Sequence, residues 1–206
     1  MVDVEKLMDY LDNLIRYIIQ SVNDKNQIEL ESLGIELPNV SRPFSRITYS
    51  TLVENLQNSH KYIRWGDDIS PKLLKDLFGD EFYFITDWPS STKPFYVKSK
   101  KMDPNTELNN GDDPRLLSES FDLMYGSLEL SSGSTRINNK IDLMDNMKKK
   151  GLSHKAFDYH LRVFDYGVPP HAGFGLGLER LLMAMLKLDN IRDATFYPRD
   201  IDRLTP

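Results

Sequence analysis

The chain has 206 residues, of which 40% are hydrophobic and 28% are charged, so it can bury the core of one or two ordinary globular domains. It contains no cysteine, which excludes disulfides and thiolate metal sites and favours a cytoplasmic setting, and no early apolar run suits a signal peptide or a membrane span. The net charge of −5 argues against binding nucleic acid over the whole surface.

The first predicted element is a long amphipathic helix. Apolar residues recur at spacings of three and four from Val4 to Val22, behind a candidate N-cap at Asp3. The pattern stops after about three heptads, which favours packing on the same chain over a coiled-coil dimer. A polar connection leads to a short β-like run at residues 46–49, and a helix is predicted over residues 71–78.

The middle of the chain alternates between β-like and polar segments. Alternation in EFYFIT (residues 81–86) and KPFYV (residues 93–97) predicts two strands joined through WPSS. The segment from Ser99 to Arg115 has almost no apolar residue, which predicts a long mobile loop.

A second strand pair is predicted around Phe121 and Glu129, with helices following over residues 140–149 and 153–164. Strands and helices do not alternate as regular βαβ units. We therefore expect one α+β domain over residues 1–206, with a mainly antiparallel sheet flanked by helices.

A glycine-rich segment, GFGLGLERLLMAML, covers residues 173–186. It does not fit a dinucleotide-binding turn, whose third glycine would fall on Leu178, or a phosphate-binding loop, because no lysine precedes Lys187. In an extended strand its three alternating glycines, Gly173, Gly175 and Gly177, point to one face. This face would carry no side chain and would leave room for a planar ligand or another backbone.

Arg180 falls in the first turn of the helix that follows these glycines. A cation at this position opposes the helix dipole by about 0.3 to 1 kcal/mol, whereas an anion is favoured there. Arg180 is therefore predicted to face an anionic ligand or a carboxylate. The alternative is a surface pair between Glu179 and Arg180.

The segment FDLMYGSLELSSGSTR, residues 121–136, predicts a hairpin turning at Gly126-Ser127. Simple pairing places Met124 opposite Glu129 and Asp122 opposite Ser131. Asp122 and Glu129 would then be diagonal neighbours roughly 7 to 8 Å apart on one face, within reach of one divalent ion such as magnesium. The alternative is that both carboxylates point into solvent from an edge hairpin.

These segments together carry a family resemblance. Residues 169–206 resemble motif 3 and the C-terminus of class II aminoacyl-tRNA synthetases, of the archaeal aspartyl/asparaginyl type. The hairpin segment, TKPFY at residues 92–96 and WGDD at residues 65–68 match the same group in the same order. The resemblance therefore extends over nearly the whole chain.

The resemblance implies a site for ATP, magnesium and aspartate or asparagine. It gives Arg180 a catalytic contact with the ATP phosphates, beside a nucleotide-contacting turn that includes Gly175, Gly177, Leu178 and Glu179. It assigns magnesium to Asp122, Glu129 and Ser132, and the substrate amino acid to Ser132, Arg136 and Lys93. Simple hairpin pairing puts Ser131 on the carboxylate face instead of Ser132, so strand pairing must end or bulge there.

The resemblance also implies parts that this sequence does not contain, namely motifs 1 and 2 and an anticodon-binding domain. We therefore expect a truncated paralogue or fragment whose amino-acid activation is incomplete without a partner chain. A homo-oligomer or hetero-assembly is expected, with tRNA bound only through a partner. Two other functions remain open: synthesis of asparagine without tRNA, and a non-catalytic module that binds nucleotide or a synthetase subunit.

Overall fold

The computed structural model describes residues 3–100, 115–199 and 201–202 and centres on a five-stranded sheet. Its strands follow the chain in the order β1 (Ser45–Thr48), β2 (Phe82–Thr86), β3 (Ser120–Tyr125), β4 (Leu128–Thr135) and β5 (Ala172–Leu176). Strands β1 and β2 pair in parallel, and the other neighbours are antiparallel. The predicted α+β fold with a mainly antiparallel sheet is confirmed.

Helices cover both faces of this sheet. They are α1 (Val4–Lys25), α2 (Gln27–Leu33), α3 (Tyr49–Asn58), α4 (Pro71–Phe78), α5 (Lys140–Lys149), α6 (Asp158–Val163) and α7 (Leu178–Leu186). Short 3₁₀ turns lie at Ser90–Thr92, His154–Phe157, Phe164–Tyr166 and Ile191–Ala194. Within the described parts of the chain, no helix has both the length and the apolar character needed to cross a membrane.

Helix α1 forms where the apolar periodicity predicts it. The side chain of Asp3 accepts a hydrogen bond from the backbone N–H of Lys6 at 3.0 Å, which caps the first turn. Met8, Leu11 and Ile15 on its apolar stripe are fully buried, and each contributes roughly 1.5 to 3 kcal/mol by leaving water. This stripe packs on the sheet of the same chain, as predicted.

The two faces of the sheet have different surroundings. On one face, Phe84, Phe121 and Leu123 pack with α1 and α7 in the larger apolar core. On the other face, Tyr83 and Ile85 pack with α3 and α4 in a second apolar cluster. Strand register places Asp122 opposite Ile85, so this carboxylate lies on the second face, beside the second cluster.

Three parts of the secondary-structure prediction are wrong or incomplete. Residues 93–97 form a turn instead of a strand, with a single bridge from Val97 to Arg136. Pro94 has no N–H to donate to a ladder, and the Pro94 carbonyl accepts a hydrogen bond from the Val97 N–H at 3.1 Å, which closes the turn. The helix predicted over residues 153–164 is divided into two 3₁₀ turns around α6. Helices α2 and α3 were not predicted, and residues 101–114 of the predicted loop lie outside the described residues.

Candidate active site

The β3–β4 hairpin forms the floor of the site and contains a bulge. Met124 pairs with Glu129 as predicted, but Asp122 pairs with Ser132, so the predicted pairing with Ser131 is wrong. The extra residue is Leu130, because the register shifts between Leu123 and Met124. The bulge places Ser132 on the face that carries Asp122 and Glu129.

Contacts on the far side of the strand explain why the bulge forms at Leu130. The Leu130 side chain is 2% exposed and belongs to the apolar core under α1. Its carbonyl accepts a hydrogen bond from the Gly177 N–H at 2.8 Å, which satisfies a group that the bulge removes from the ladder. The turn itself has Gly126 at φ +55°, and its carbonyl accepts from the Tyr83 hydroxyl at 2.6 Å.

Most of the predicted site residues line one open cleft of about 560 Å³. They are Lys93, Glu129, Ser132, Arg136, Gly175, Gly177, Glu179 and Arg180. Asp122 lines an adjoining cavity of about 550 Å³, which shares Lys93 and Glu129 with the cleft. Leu178 is 62% exposed and lines neither space, so the structure does not place it with the other predicted residues.

Arg180 faces the hairpin. Its Nη1 donates a hydrogen bond to the Glu129 carbonyl at 2.8 Å and lies 3.9 Å from Glu129 Oε1. The predicted carboxylate partner is therefore Glu129, on a different element, and not its neighbour Glu179. Both side chains are nearly half exposed, so this ion pair is accessible to a ligand in the cleft.

Asp122 and Lys93 form the most buried ion pair of the site. Lys93 Nζ lies 2.7 Å from Asp122 Oδ2, and the two side chains are 12% and 6% exposed. The ammonium also lies 4.5 Å from the centre of the Trp88 ring. The second carboxylate oxygen, Asp122 Oδ1, is buried and has no hydrogen-bond partner.

The charge on Glu129 is disfavoured by its surroundings. Burial raises the pKa of this carboxyl above its ordinary value, and the negative charge of Asp122 raises it further. Lys93 and Arg180 lower the same pKa but do not offset both effects. A divalent cation between the two carboxylates would relieve their repulsion.

The donor set fits Mg²⁺ held jointly with a phosphate ligand. Among the described residues, no three His, Cys, Asp or Glu side chains converge on a metal position. Magnesium commonly takes one or two protein carboxylates and completes its shell with waters and substrate phosphates. Asp122, with its unpartnered oxygen, and Glu129 supply such a pair, and Ser132 pairs with Asp122 in the ladder.

The glycines of β5 leave space above the strand. A Cβ added to Gly175 would meet nothing within 4 Å, whereas at Gly177 it would lie 3.5 Å from the Arg180 side chain and from the Leu130 carbonyl. Gly173 lies beneath Arg136, whose Nη2 donates to the Gly173 carbonyl at 3.1 Å. The bare face predicted from the alternation is open to the cleft at Gly175, where a flat ligand has room.

Arg136 is held in place by three contacts at the other end of the cleft. Its Nη1 donates to Ser134 Oγ at 2.9 Å, Nη2 donates to Gly173, and the guanidinium lies 4.7 Å from the centre of the Tyr96 ring. A guanidinium fixed in this way is suited to binding a carboxylate.

Sequence reasoning missed several residues around the site. The contact of Ser134 with Arg136 could have been predicted, because these residues are two apart and residues two apart share one face of a strand. Tyr96 carries no comparable signal, because its cation contact with Arg136 joins segments that are distant in the sequence. Trp88 contacts Lys93 nearby in the chain, across a turn that the predicted strand over residues 93–97 did not include. Ser131, whose hydroxyl donates to the Gly175 carbonyl at 2.7 Å, was placed on the wrong face by the simple register.

Comparisons with known proteins agree with one another. The profile of the family described as tRNA synthetases class II (D, K and N) matches residues 1–201. The aspartate–tRNA(Asp/Asn) ligase of Sulfurisphaera tokodaii is 39% identical over 207 residues, which is 99% of this chain and 46% of that protein. The chain thus spans less than half the length of this relative.

Solved structures give the same result. The aspartyl-tRNA synthetase of Entamoeba histolytica superposes with a TM-score of 0.86 and 29% identity, covering 100% of this chain and 42% of that one. The asparaginyl-tRNA synthetase of Pyrococcus horikoshii, in complex with asparaginyl-adenylate, superposes with a TM-score of 0.83 and 32% identity, covering 100% of this chain and 46% of that one.

Proposed function

The chain belongs to the class II tRNA synthetases (D, K and N), and on that basis we propose that it forms the ATP- and Mg²⁺-binding part of an aspartyl/asparaginyl-type activation site. In this reaction a carboxylate oxygen of the amino acid attacks the α-phosphorus of ATP. The bond from that phosphorus to the bridging oxygen breaks, and pyrophosphate leaves with an aminoacyl-adenylate as the other product.

One observation carries the proposal: Arg180 and Glu129, from different elements, meet in the same cleft beside the open glycine Gly175. A guanidinium in the first turn of α7 favours an anion in front of it, and Gly177 supplies no side chain to cap that turn. We assign the ATP phosphates to Arg180 and the nucleoside to the bare strand at Gly175 and Gly177.

Mg²⁺ would be held by Asp122 and Glu129, with Ser132 assisting. When bound, the ion neutralises negative charge on the phosphates of ATP. The chain itself keeps the two carboxylates close through the hairpin register, so that they do not have to be gathered when the ligand arrives.

The amino acid would occupy the opposite end of the cleft. Arg136 is the cation at that end, and Ser132 lines the same cleft. Lys93 also lines this cleft, although its ammonium is paired with Asp122. Aspartate and asparagine both carry the α-carboxylate that such cations bind. The P. horikoshii neighbour was solved with an asparaginyl-adenylate, which supports this class of substrate for the shared fold.

The rest of the activation site is proposed to come from residues equivalent to the part of the relatives that this chain does not match. Those residues would hold the α-phosphate during carboxylate attack. Removing one preorganised charge partner of this kind typically lowers the rate about a hundredfold or more, so we propose that these residues are required for turnover.

Isothermal titration of ATP with and without Mg²⁺ tests the proposal on the wild type, Arg180→Ala and Glu129→Gln. Arg180→Ala should weaken ATP binding by roughly tenfold or more, because a charge-assisted contact to phosphate is lost. Glu129→Gln should remove most of the effect of Mg²⁺. The matched controls are Arg162→Ala, an exposed ion-paired arginine of α6, and Glu119→Gln, which is paired with Lys98; neither should change affinity.

Two results would contradict the activation proposal. If Mg²⁺ leaves ATP affinity unchanged in the wild type while Arg180→Ala abolishes binding, a non-catalytic nucleotide-binding module is the better description. If the chain converts aspartate, ATP and ammonium into asparagine, the activated aspartate is transferred to ammonia instead of tRNA.

A further inference from the structure

We propose that Lys93 is a switching cation, which neutralises Asp122 while the site is empty and is displaced by the divalent ion to bind the carboxylate of the amino acid. This inference rests on the proposed function and adds to it a coupling between metal and amino-acid binding. The coupling would be carried by one side chain of this chain.

The starting position of the lysine is defined by its contacts. Lys93 Nζ lies 2.7 Å from Asp122 Oδ2 and 4.5 Å from the centre of the Trp88 ring, and its side chain is 12% exposed. A buried carboxylate without a cation is costly, so the ammonium stabilises Asp122 when no metal is present. In this position one donor of the ammonium is used by Asp122 and its charge is partly neutralised, so it would bind a further carboxylate less strongly.

The unpartnered oxygen of Asp122 is the reason that the lysine would have to move. Asp122 Oδ1 is buried and accepts no hydrogen bond, which leaves one half of the carboxylate for a ligand. A divalent ion there would share one carboxylate with the Lys93 ammonium. Two cations on adjacent oxygens of a buried group repel strongly, so occupancy by the metal disfavours the Lys93–Asp122 pair.

The displaced Lys93 side chain could move into a second cavity. Two cavities meet at the site, and within the described residues they share only Lys93 and Glu129 as lining residues. Asp122 and Trp88 line one of them, and Arg136 and Ser132 line the other. A rotation of the Lys93 side chain from the first cavity to the second would bring its ammonium to the end of the cleft assigned to the amino acid.

The consequence is reciprocal. If the metal makes Lys93 available to the substrate, the substrate must favour the metal by the same factor, because coupling between two binding equilibria is symmetric. The empty site would then resist binding an amino acid before the nucleotide–metal complex is present.

Titration of the full chain with Mn²⁺ alone, followed by electron paramagnetic resonance of the free ion, tests the displacement step. In Lys93→Gln the metal has no ammonium to displace, so its affinity should rise at least about fivefold, at the lower end of typical coupling between sites. Lys93→Arg, which keeps the charge, should bind like the wild type. The matched control is Lys100→Gln, which removes a lysine from another Lys–Asp pair of 2.7 Å, to Asp87, and should leave the affinity unchanged.

A second measurement uses the unaltered chain, in case Asp122 without its cation prevents folding. Acylation of lysines, resolved by mass spectrometry, should become severalfold faster at Lys93 when Mn²⁺ is saturating. Lys100 should react at the same rate with and without the metal. An unchanged rate at Lys93 would overturn the inference.

The failure of this inference is separable from that of the proposed function. If Mn²⁺ binds equally to the wild type and Lys93→Gln, and Asp122→Asn abolishes binding, the metal site stands and the switching lysine is wrong. If Mn²⁺ binds to neither protein, the metal site of the proposed function fails as well.

Discussion

Glu129 lies where opposing charges meet. The positive charges of Arg180 and Lys93 favour ionisation of its carboxyl group. Burial and the negative charges of Asp122 and Asp68 disfavour ionisation. The net result is a raised pKa, so this residue lowers the stability of the ligand-free fold at neutral pH. Such a cost is typical of a group placed for a ligand and not for the fold.

We predict that Glu129→Gln stabilises the ligand-free protein at neutral pH. In the wild type, the pKa of the Glu129 carboxyl is higher in the folded chain than in the unfolded chain. Between these two pKa values the folded chain binds more protons, so the stability of the wild type falls as pH rises through that window. Glutamine does not ionise, so the variant should be the more stable protein near pH 7 and lose this advantage below about pH 4. Urea unfolding in the presence of a chelator at several pH values measures the difference.

Glu119→Gln is the control for this comparison. Glu119 Oε1 lies 3.5 Å from Lys98 Nζ, so its removal deletes a favourable pair and should leave the stability equal or lower. A Glu129→Gln variant that is less stable than the wild type at neutral pH would show that the Arg180 contact outweighs burial and repulsion.

Prediction at the residue scale depended on how far apart in sequence the contacts lie. Asp122 and Glu129 share a hairpin, so the turn at Gly126 was enough to place them on one face. Lys93 and Asp122 are 29 positions apart, and no local pattern indicates their contact. The resemblance gave Lys93 a role at the substrate but did not indicate its contact with Asp122.

At the scale of elements, two glycines on neighbouring strands have opposite roles. Gly133 of β4 is tightly packed by two phenylalanines. An added Cβ would lie 2.9 Å from Phe174 Cβ and closer still to the Phe121 ring. At Gly175 of β5 the same atom would enter open space beside the cleft. One glycine therefore serves packing within the sheet, and the other leaves the cleft open.

We predict that Gly133→Ala and Gly175→Ala separate stability from ligand binding. Gly133→Ala should destabilise the fold by about 1 to 3 kcal/mol, because the extra methyl overpacks the core. Gly175→Ala should change stability little but weaken ATP binding, because the methyl occupies space assigned to the nucleoside. Urea unfolding and ATP titration of both variants measure the two effects. Equal loss of stability in both variants would remove Gly175 from the site.

The hairpin shows which parts of an element follow from local sequence. Gly126-Ser127 determines the turn and the first two pairs, and both were predicted. The bulge at Leu130 depends instead on α1, which buries its side chain, and on Gly177, which donates to its carbonyl. Both partners lie far away in sequence, so local pattern could not decide between a bulge and an early end of the strand.

At the scale of the whole molecule, the sheet has an edge strand next to the cleft. Among the described residues, β5 pairs with β4 on one side and with no further strand on the other. Large apolar side chains such as Phe196 and Tyr166 are more than 90% exposed. Unpaired strand edges and exposed apolar groups favour association with further polypeptide.

We predict that this chain associates and requires a partner segment for activity. Light scattering after size-exclusion chromatography should show an assembly larger than a monomer at micromolar concentration. ATP–pyrophosphate exchange should be absent with this chain alone and should arise when it is co-expressed with the unmatched part of an archaeal aspartate–tRNA ligase. The Arg180→Ala chain is the control, because it should assemble but not support exchange. Exchange by an isolated monomer would contradict both expectations.

The parallel pairing of β1 with β2 has a consequence for the acidic side of the cleft. Two parallel neighbours need a crossover between them, and here it runs through α3 and α4. The crossover brings Asp67 and Asp68 to the wall of the cavity that holds Asp122, and the Tyr49 hydroxyl tethers it by donating to the Asp67 carbonyl at 2.8 Å. The electrostatic potential at the carboxylates is therefore tied to sheet topology, and a change in the core beneath the crossover would be transmitted to Asp122 and Glu129.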